Sequence, residues 1–227
     1  MFNKKIEFII TDKNMEGVWP KPTPAMHAIP SEYKKLKRFV NNDLHKSTVK
    51  TCVPFLDALT TGYMLYFDQD YIVDPVGDDF SIAPADREDM EYHANFQLPP
   101  EWKPKVGSAA GKIINKWLIK TPPGYSCLFV HPLNHLLNDK IHFLSGVVDT
   151  DDYINTINFP LVILDKTEQF ILKKGDPMIQ VIPFKREPWK MWSGFYFEKL
   201  HAKTHELIKT GWVDKYKKLF WKKKGYR

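Results

Sequence analysis

The sequence predicts a mainly β, antiparallel domain with a proline-rich N-terminal arm and a basic, partly helical C-terminal extension. Three observations point to it. Between Trp117 and Glu187, six or so short apolar runs follow one another, with turn residues between them and no helical pattern. The 17 prolines outnumber the 11 glycines and are spread between apolar runs, which favours many short elements with rigid connections. The segment from Lys199 to Arg227 holds ten Lys/Arg and two acids, a net +8, while the rest of the chain carries −2. The body is therefore near neutral and the basicity belongs to a tail. With 43% hydrophobic and 14% aromatic residues, the 227-residue chain can bury a core, which excludes a disordered polypeptide.

Taken in order, KIEFIITDK (5–13) alternates as a first strand. VWPKPTPAMHAIP (18–30) holds four prolines, cannot be a regular helix or central strand, and is expected to be an extended arm lying over the body. SEYKKLKRFVNND (31–43) is expected to start a short helix with Ser31 as its N-cap. Between 49 and 74, a turn or helix at PFLDAL precedes strands at GYMLYF and DYIVD. PVGDDFSIAPADREDM (75–90) reads as a loop or hairpin end, and EYHANFQLPPEW (91–102) as a strand stopped by its double proline. WLIKT and YSCLFVHP are strands joined by a PPG turn. IHFLSGVVDT, TINFPLVIL and the pair in QFILKKGDPMIQVIPF follow, with Gly175 supplying positive φ at the KKGD turn. After Glu187 the aromatic PWKMWSGFYF leads into a stretch of helical periodicity, interrupted at Gly211. The expected division is one β-rich domain over 1–190 and a basic aromatic tail over 191–227.

Cys52 and Cys127 lie in apolar contexts without zinc spacing, and are expected to be reduced core thiols. The N-terminal apolar run is too short for a signal peptide, and no run approaches the ~18 residues of a membrane span. A soluble cytoplasmic protein is the expectation.

Three acids in four positions, Asp149, Asp151 and Asp152, follow the apolar GVV. Clustered carboxylates can activate water or hold Mg²⁺, and they raise one another's pKa. The same DTDD is also ideal for a solvated turn. Asp149 ends an apolar strand and is expected to point into a cleft. HPLNH offers His131 and His135 at i, i+4, but Pro132 and Asn134 disfavour a continuous helix, and Asp139 is the only nearby acidic third ligand. No protein metal site is expected there. Trp117 is expected in the core, with Trp189 and Trp192 stapling the tail to the body. The tail YKKLFWKKKGYR mixes cations with aromatics, which suits an anionic partner or nucleic acid, or simply a solvated terminal helix.

GVVDTDDY, then NFPLVIL, then FILKKGDPMIQVIPF resembles successive segments of the trimeric dUTPases, and TPPGYSCLFVHP resembles the strand that leads into their phosphate-binding segment. The match covers about residues 117–187. It implies a β-clip, dUTPase-like core over about 112–187, a homotrimer with sites between subunits, and a nucleotide ligand. It also implies Asp149 as the water-activating acid and Asp151 as the second acid. His131 and Asn134 fall where the family contacts phosphate, and Asp152 with Tyr153 where it packs an aromatic ring on the base. The family's glutamine, here Gln180, orders backbone. A longer span resembles an uncharacterised family of phage and bacterial proteins, which would place a phage-encoded copy in the host cytoplasm. The departures are specific. His131-Pro132-Leu133-Asn134 replaces Arg-Ser-Gly, Tyr153 is displaced by one position, and lysines replace the Gly-rich C-terminal arm. Polyphosphate binding wants an arginine and free N–H groups, and proline removes one. Three readings follow. One is a diverged binder of a nucleotide or other small polar ligand, with cofactor unknown and Mg²⁺ the candidate. The second is a structural or interaction module of a phage-type assembly, docking through its tail. The third is a nucleotide pyrophosphatase with a rearranged phosphate site.

Overall fold

Short apolar runs between prolines and glycines fold into fourteen strands among the described residues, and every pairing is antiparallel. The structure, a computed structural model, describes residues 4–10, 12–77, 79–85, 90–92, 97, 99–102, 111–135, 140–165, 167–195, 198–209 and 214–227. A five-stranded sheet has the order β11 (Gly146–Val148), β9 (Tyr125–Val130), β14 (Pro177–Lys185), β3 (Tyr63–Tyr66) and β2 (Thr23–Pro24). A four-stranded sheet runs β10 (Ile141–Phe143), β12 (Asn158–Ile163), β7 (Gly111–Ile114) and β6 (Met90–Tyr92). Three strands, β13 (Phe170–Leu172), β4 (Tyr71–Val76) and β5 (Asp79–Pro84), form a third sheet, and β1 (Glu7–Ile10) pairs with β8 (Trp117–Lys120).

The mainly β, antiparallel expectation holds. The three segments around Tyr125, Asp149 and Gln180 are neighbours, because β9 lies between the strand that precedes Asp149 and the strand that contains Gln180. The first hundred residues contribute strands to every sheet and are not a separate layer. The proline-rich arm is extended only as far as Pro24, with Trp19 buried and β2 closing one edge of the large sheet, and then turns as a 3-10 helix over Ala25–Ala28 with Ala25 buried. Several boundaries differ. IHFLSGVVDT is two strands in two sheets, because the chain turns at Leu144–Ser145. PVGDDFSIAP is a hairpin, with β4 and β5 meeting at Gly77 (φ +61°). Pro30, and not Ser31, occupies the N-cap position of α1 (Ser31–Lys35), without a side-chain capping bond; the Ser31 hydroxyl turns to Glu32. Cys127 is buried as expected but Cys52 is exposed, since it sits at the start of α2 (Val53–Thr60) facing outwards. Of the strand expected over 91–102 only Glu91 and Tyr92 fall in β6, and Pro100–Trp102 form a 3-10 turn instead; 93–96 and 98 lie outside the described residues, as do Asp139 and Gly211.

Aromatic pairs tie the sheets together. Phe67 packs on Phe143 with centroids 6.0 Å apart, and Phe129 on Phe159 at 5.6 Å. All four side chains are buried, each stabilising the fold by about 1.5–3 kcal/mol. One buried amide organises the polar backbone between them. Gln180 is fully buried; its Oε1 accepts from the Leu133 N–H (2.9 Å) and its Nε2 donates to the carbonyls of Ala58 (2.9 Å) and Thr61 (2.6 Å). It thereby joins the loop after β9 to the end of α2. At Gly62 (φ +74°) a methyl group would sit 2.1 Å from the Val181 carbonyl oxygen, so the chain passes there only as glycine.

The tail folds as α3 (Glu198–Lys209) and α4 (Lys215–Leu219) and returns to the body. Asp214 pairs with Arg38, the Trp221 indole N–H reaches both oxygens of Asp57 (3.1 and 2.9 Å), Lys224 joins them, and Tyr226 packs edge-on against Tyr63. Trp189 and Trp192, expected to staple the tail, are instead 88% and 74% exposed, because 188–195 is an exposed segment outside the sheets. Trp117 is partly buried against the core.

Replacing Gln180 with leucine keeps the volume and strands three buried backbone groups. Gln180→Leu is expected to cost about 2–4 kcal/mol, read as a lower urea midpoint at unchanged slope.

Candidate functional site

The DTDD segment is a turn whose middle is fixed from below. The Asp149 carbonyl accepts from the N–H groups of Asp152 (3.2 Å) and Tyr153 (2.9 Å). Thr150 points inward and is fully buried, its hydroxyl 2.7 Å from that of Thr121 and 3.3 Å from Cys127 Sγ. With Thr150 inward, its two neighbours face the start of β9. The Ser126 hydroxyl donates to Asp149 Oδ1 (2.6 Å), and the Gly124 N–H donates to Asp151 Oδ2 (2.7 Å). Burial also pushes the Cys127 thiol up to about 11, so it is inert in this position.

Arg186, the residue after β14, completes the cluster. Its Nη1 and Nη2 donate to Asp151 Oδ1 (2.8 Å) and Oδ2 (2.5 Å) as a fork, and Nη1 also reaches the Tyr125 carbonyl (3.0 Å) and Ser126 Oγ (3.1 Å). Asp149 Oδ1 lies 3.3 Å from the same guanidinium. The Asp151 side chain is 5% exposed and that of Asp149 63%. The Arg186 fork holds the Asp151 carboxyl well below the usual carboxylate range; burial opposes this and the Gly124 N–H assists it. Asp151 is thus a structural anion with both oxygens engaged. Asp149 presents its second oxygen to solvent, while Asp152 and Tyr153 are exposed beside it.

This donor set does not fit a protein-held Mg²⁺. Asp151 is occupied by a guanidinium, Asp149 offers one oxygen, and no group of three His, Cys, Asp or Glu side chains among the described residues could hold a metal ion.

His131 and Asn134 lie at the other end of β9. At ~3.3 Å per residue, Ser126 and His131 are roughly 16 Å apart along the strand. His131 Nδ1 accepts from the Phe143 N–H (3.5 Å), and its ring lies 5.0 Å from that of His142. Asn134 (φ +60°) donates to the Phe55 carbonyl (3.2 Å), which makes it a tie to α2. A cavity of about 560 Å³ opens here, with His131, His135, Glu32, Lys140 and Asp176 at its polar wall and Phe67, Phe170 and Leu172 at its apolar wall. Burial, then the neighbouring His142 and His135, pushes His131 down to about 4. Burial also lowers His135, with Glu32 opposing.

Within one chain, then, the structure gathers Asp149 and Asp151 at one end of β9 and His131 at the other. Asp149 faces open solvent rather than the expected cleft. Sequence reasoning missed Arg186, although it follows the last strand directly in PFKRE. Periodicity shows where a strand ends, but not which neighbouring turn the next side chain reaches.

No family model matches the sequence, and no curated protein matches it. Among solved structures the chain resembles phage dUTPases. A mutant of the phage 80alpha dUTPase covers 89% of this chain and 95% of its own, at 11% identity and a TM-score of 0.43. A second mutant of the Staphylococcus bacteriophage 80alpha enzyme, with dUpNHpp, covers 86% and 90% at 11% identity and a TM-score of 0.40. A mutant dUTPase from phage phi11 of S. aureus, with a coordinated structural Mg(II) ion, covers 86% and 99% at 10% identity and a TM-score of 0.40. No helix among the described residues is long and apolar enough to cross a membrane.

Two pH effects follow. The folded-state pKa of Asp151 lies below its unfolded value near ~3.9, so its contribution is present above about pH 4 and is lost as pH falls further. Asp151→Asn is expected to melt below wild type at pH 7, and the gap should narrow below about pH 4. His131 is also depressed, from 6.5 to about 4. Its contribution is present above pH 6.5 and is lost as pH falls through about 4. His131→Asn is expected to flatten the decline of melting temperature across that window.

Proposed function

We propose that this chain is a dUTPase-fold binding protein that takes a nucleotide or another small polar ligand and lacks a complete triphosphatase site. The observation that carries the reading is the Arg186 fork on Asp151. With both oxygens held by a guanidinium and a backbone N–H, the second acid of the resemblance is withdrawn from proton transfer and from metal. Asp149 alone remains to orient a water, and the segment that would hold phosphates contains Pro132 where a donor is wanted. The cavity beside His131 supports ligand binding, since about 560 Å³ lies within the range of small-molecule sites and its wall mixes aromatic rings with a few polar groups.

The resemblance implies a trimer with sites shared between subunits. The separation of Asp149 from His131 along β9 accords with that, because only a neighbouring copy could bring the two ends together. In this reading Asp152 and Tyr153 meet the ligand from the partner's side.

A second reading, an interaction module, is favoured by the segment 189–195. There Trp189, Met191, Trp192 and Phe195 are each 74% exposed or more. Side chains of that size on a free segment are expected to meet a partner surface.

Melting temperature measured over a panel of nucleotides and nucleosides, each with and without Mg²⁺, separates the two. A binder gains about 2.7 kcal/mol at a hundredfold excess over Kd, so at least one compound should raise the transition by several degrees. A flat response across the panel favours the interaction module. Pyrophosphate release from dUTP and dCTP is expected to stay at background. Turnover that disappears in Asp149→Asn without loss of stability would restore the pyrophosphatase reading.

A further inference from the structure

We propose that the cavity beside His131 takes a nucleoside-sized molecule with a cationic or neutral hydrogen-bonding head, typically an amine, and turns away phosphates. This deepens the binding reading above and rests on it. The argument is one of charge and of donors. Two carboxylates, Glu32 and Asp176, stand at the wall. Lys140 is the only Lys or Arg among the described lining residues; its ammonium lies over the Phe170 ring (5.0 Å) and is offset by Glu168 at 2.8 Å and Asp165 at 3.6 Å. The cavity therefore presents a net negative field to an entering group, which costs an anion and favours a cation.

Three backbone positions of the described loop also offer an anion no free donor. In the loop after β9, Pro132 has no N–H, the Leu133 N–H is held by Gln180 Oε1, and the His135 N–H is held by the Pro132 carbonyl (3.3 Å). A phosphate arriving here meets carboxylates rather than a nest of amides. An amine meets two acceptors of the right sign. The His135 Nε2 atom, buried without a hydrogen-bond partner among the described residues, adds an unsatisfied polar group beside them. The rings of Phe67 and Phe170 offer an apolar wall for the rest of the molecule.

The test is calorimetric titration of the full chain with three probes on one scaffold: 5′-amino-5′-deoxythymidine, thymidine and thymidine 5′-monophosphate. Affinity is expected to fall in that order, with at least tenfold between amine and monophosphate. In the double variant Glu32→Gln, Asp176→Asn that gap should close to about threefold or less through weaker amine binding. Both residues are exposed, so the variant is expected to melt near wild type. Equal or tighter binding of the monophosphate overturns the proposal and leaves the binding reading standing. A gap that survives the double variant overturns the assignment to this cavity. Silence from all three probes, with dUTP still raising the melting temperature, removes the proposal alone. Silence from these probes and from every nucleotide in the thermal panel removes both.

Discussion

The pairing of β9 on both sides is the constraint on which the rest depends. β11 hydrogen-bonds one edge and β14 the other, and six consecutive residues of β14 are in register with β9. A strand held in this way cannot shift by one residue without turning Cys127 and Phe129 out of the core and Ser126 into it. The fixed register decides where each candidate functional group lies. Ser126 meets Asp149, Gly124 meets Asp151, and four and six residues respectively separate these from His131. The distance between the two polar clusters is the length of a strand, and it is set by hydrogen-bond spacing rather than by any requirement of chemistry.

At one end of that strand, geometry has turned a pair of acids into unlike partners. Asp149 and Asp151 are two residues apart and carry the same group, yet the inward Thr150 and the fork of Arg186 make one exposed and the other almost enclosed. A planar guanidinium with two parallel donors matches a carboxylate in a way that a lysine ammonium does not. Arg186 also holds the Tyr125 carbonyl, and its own N–H reaches the Gly124 carbonyl. It therefore ties the end of β14, the turn before β9 and the DTDD turn into one rigid corner. Rigidity of this kind suits a structural corner. It leaves little room for a carboxylate that must move a proton.

Much of the fold was legible because its signals are local. Prolines marked the arm, Gly175 and the PPG sequence marked turns, and apolar alternation marked β9, β12 and β14. The short strands β6 and β7 were blurred because three or four residues carry too little periodicity, and Leu144–Ser145 looks like the interior of a strand when its neighbours are read in one dimension. The site was legible in part. DTDD was recognisable both as a turn and as an acid cluster, and both descriptions apply. What the sequence withheld was the long-range pairing: Arg186 with Asp151 across 35 residues, Gln180 with Leu133 across 47, and Asp57 with Trp221 across 164. Each is a meeting decided by the tertiary arrangement, which no local pattern records.

The two thiols have one more consequence. Cys52 is open to solvent, whereas Cys127 sits at the middle of β9 under the Thr150 hydroxyl, with its protonated form favoured. A thiol-selective reagent therefore meets two chemically distinct clocks in the same molecule. The first runs at the speed of the reagent. The second advances only when β9 parts from its neighbours, so modification kinetics at that single sulfur report how often the centre of the protein breathes.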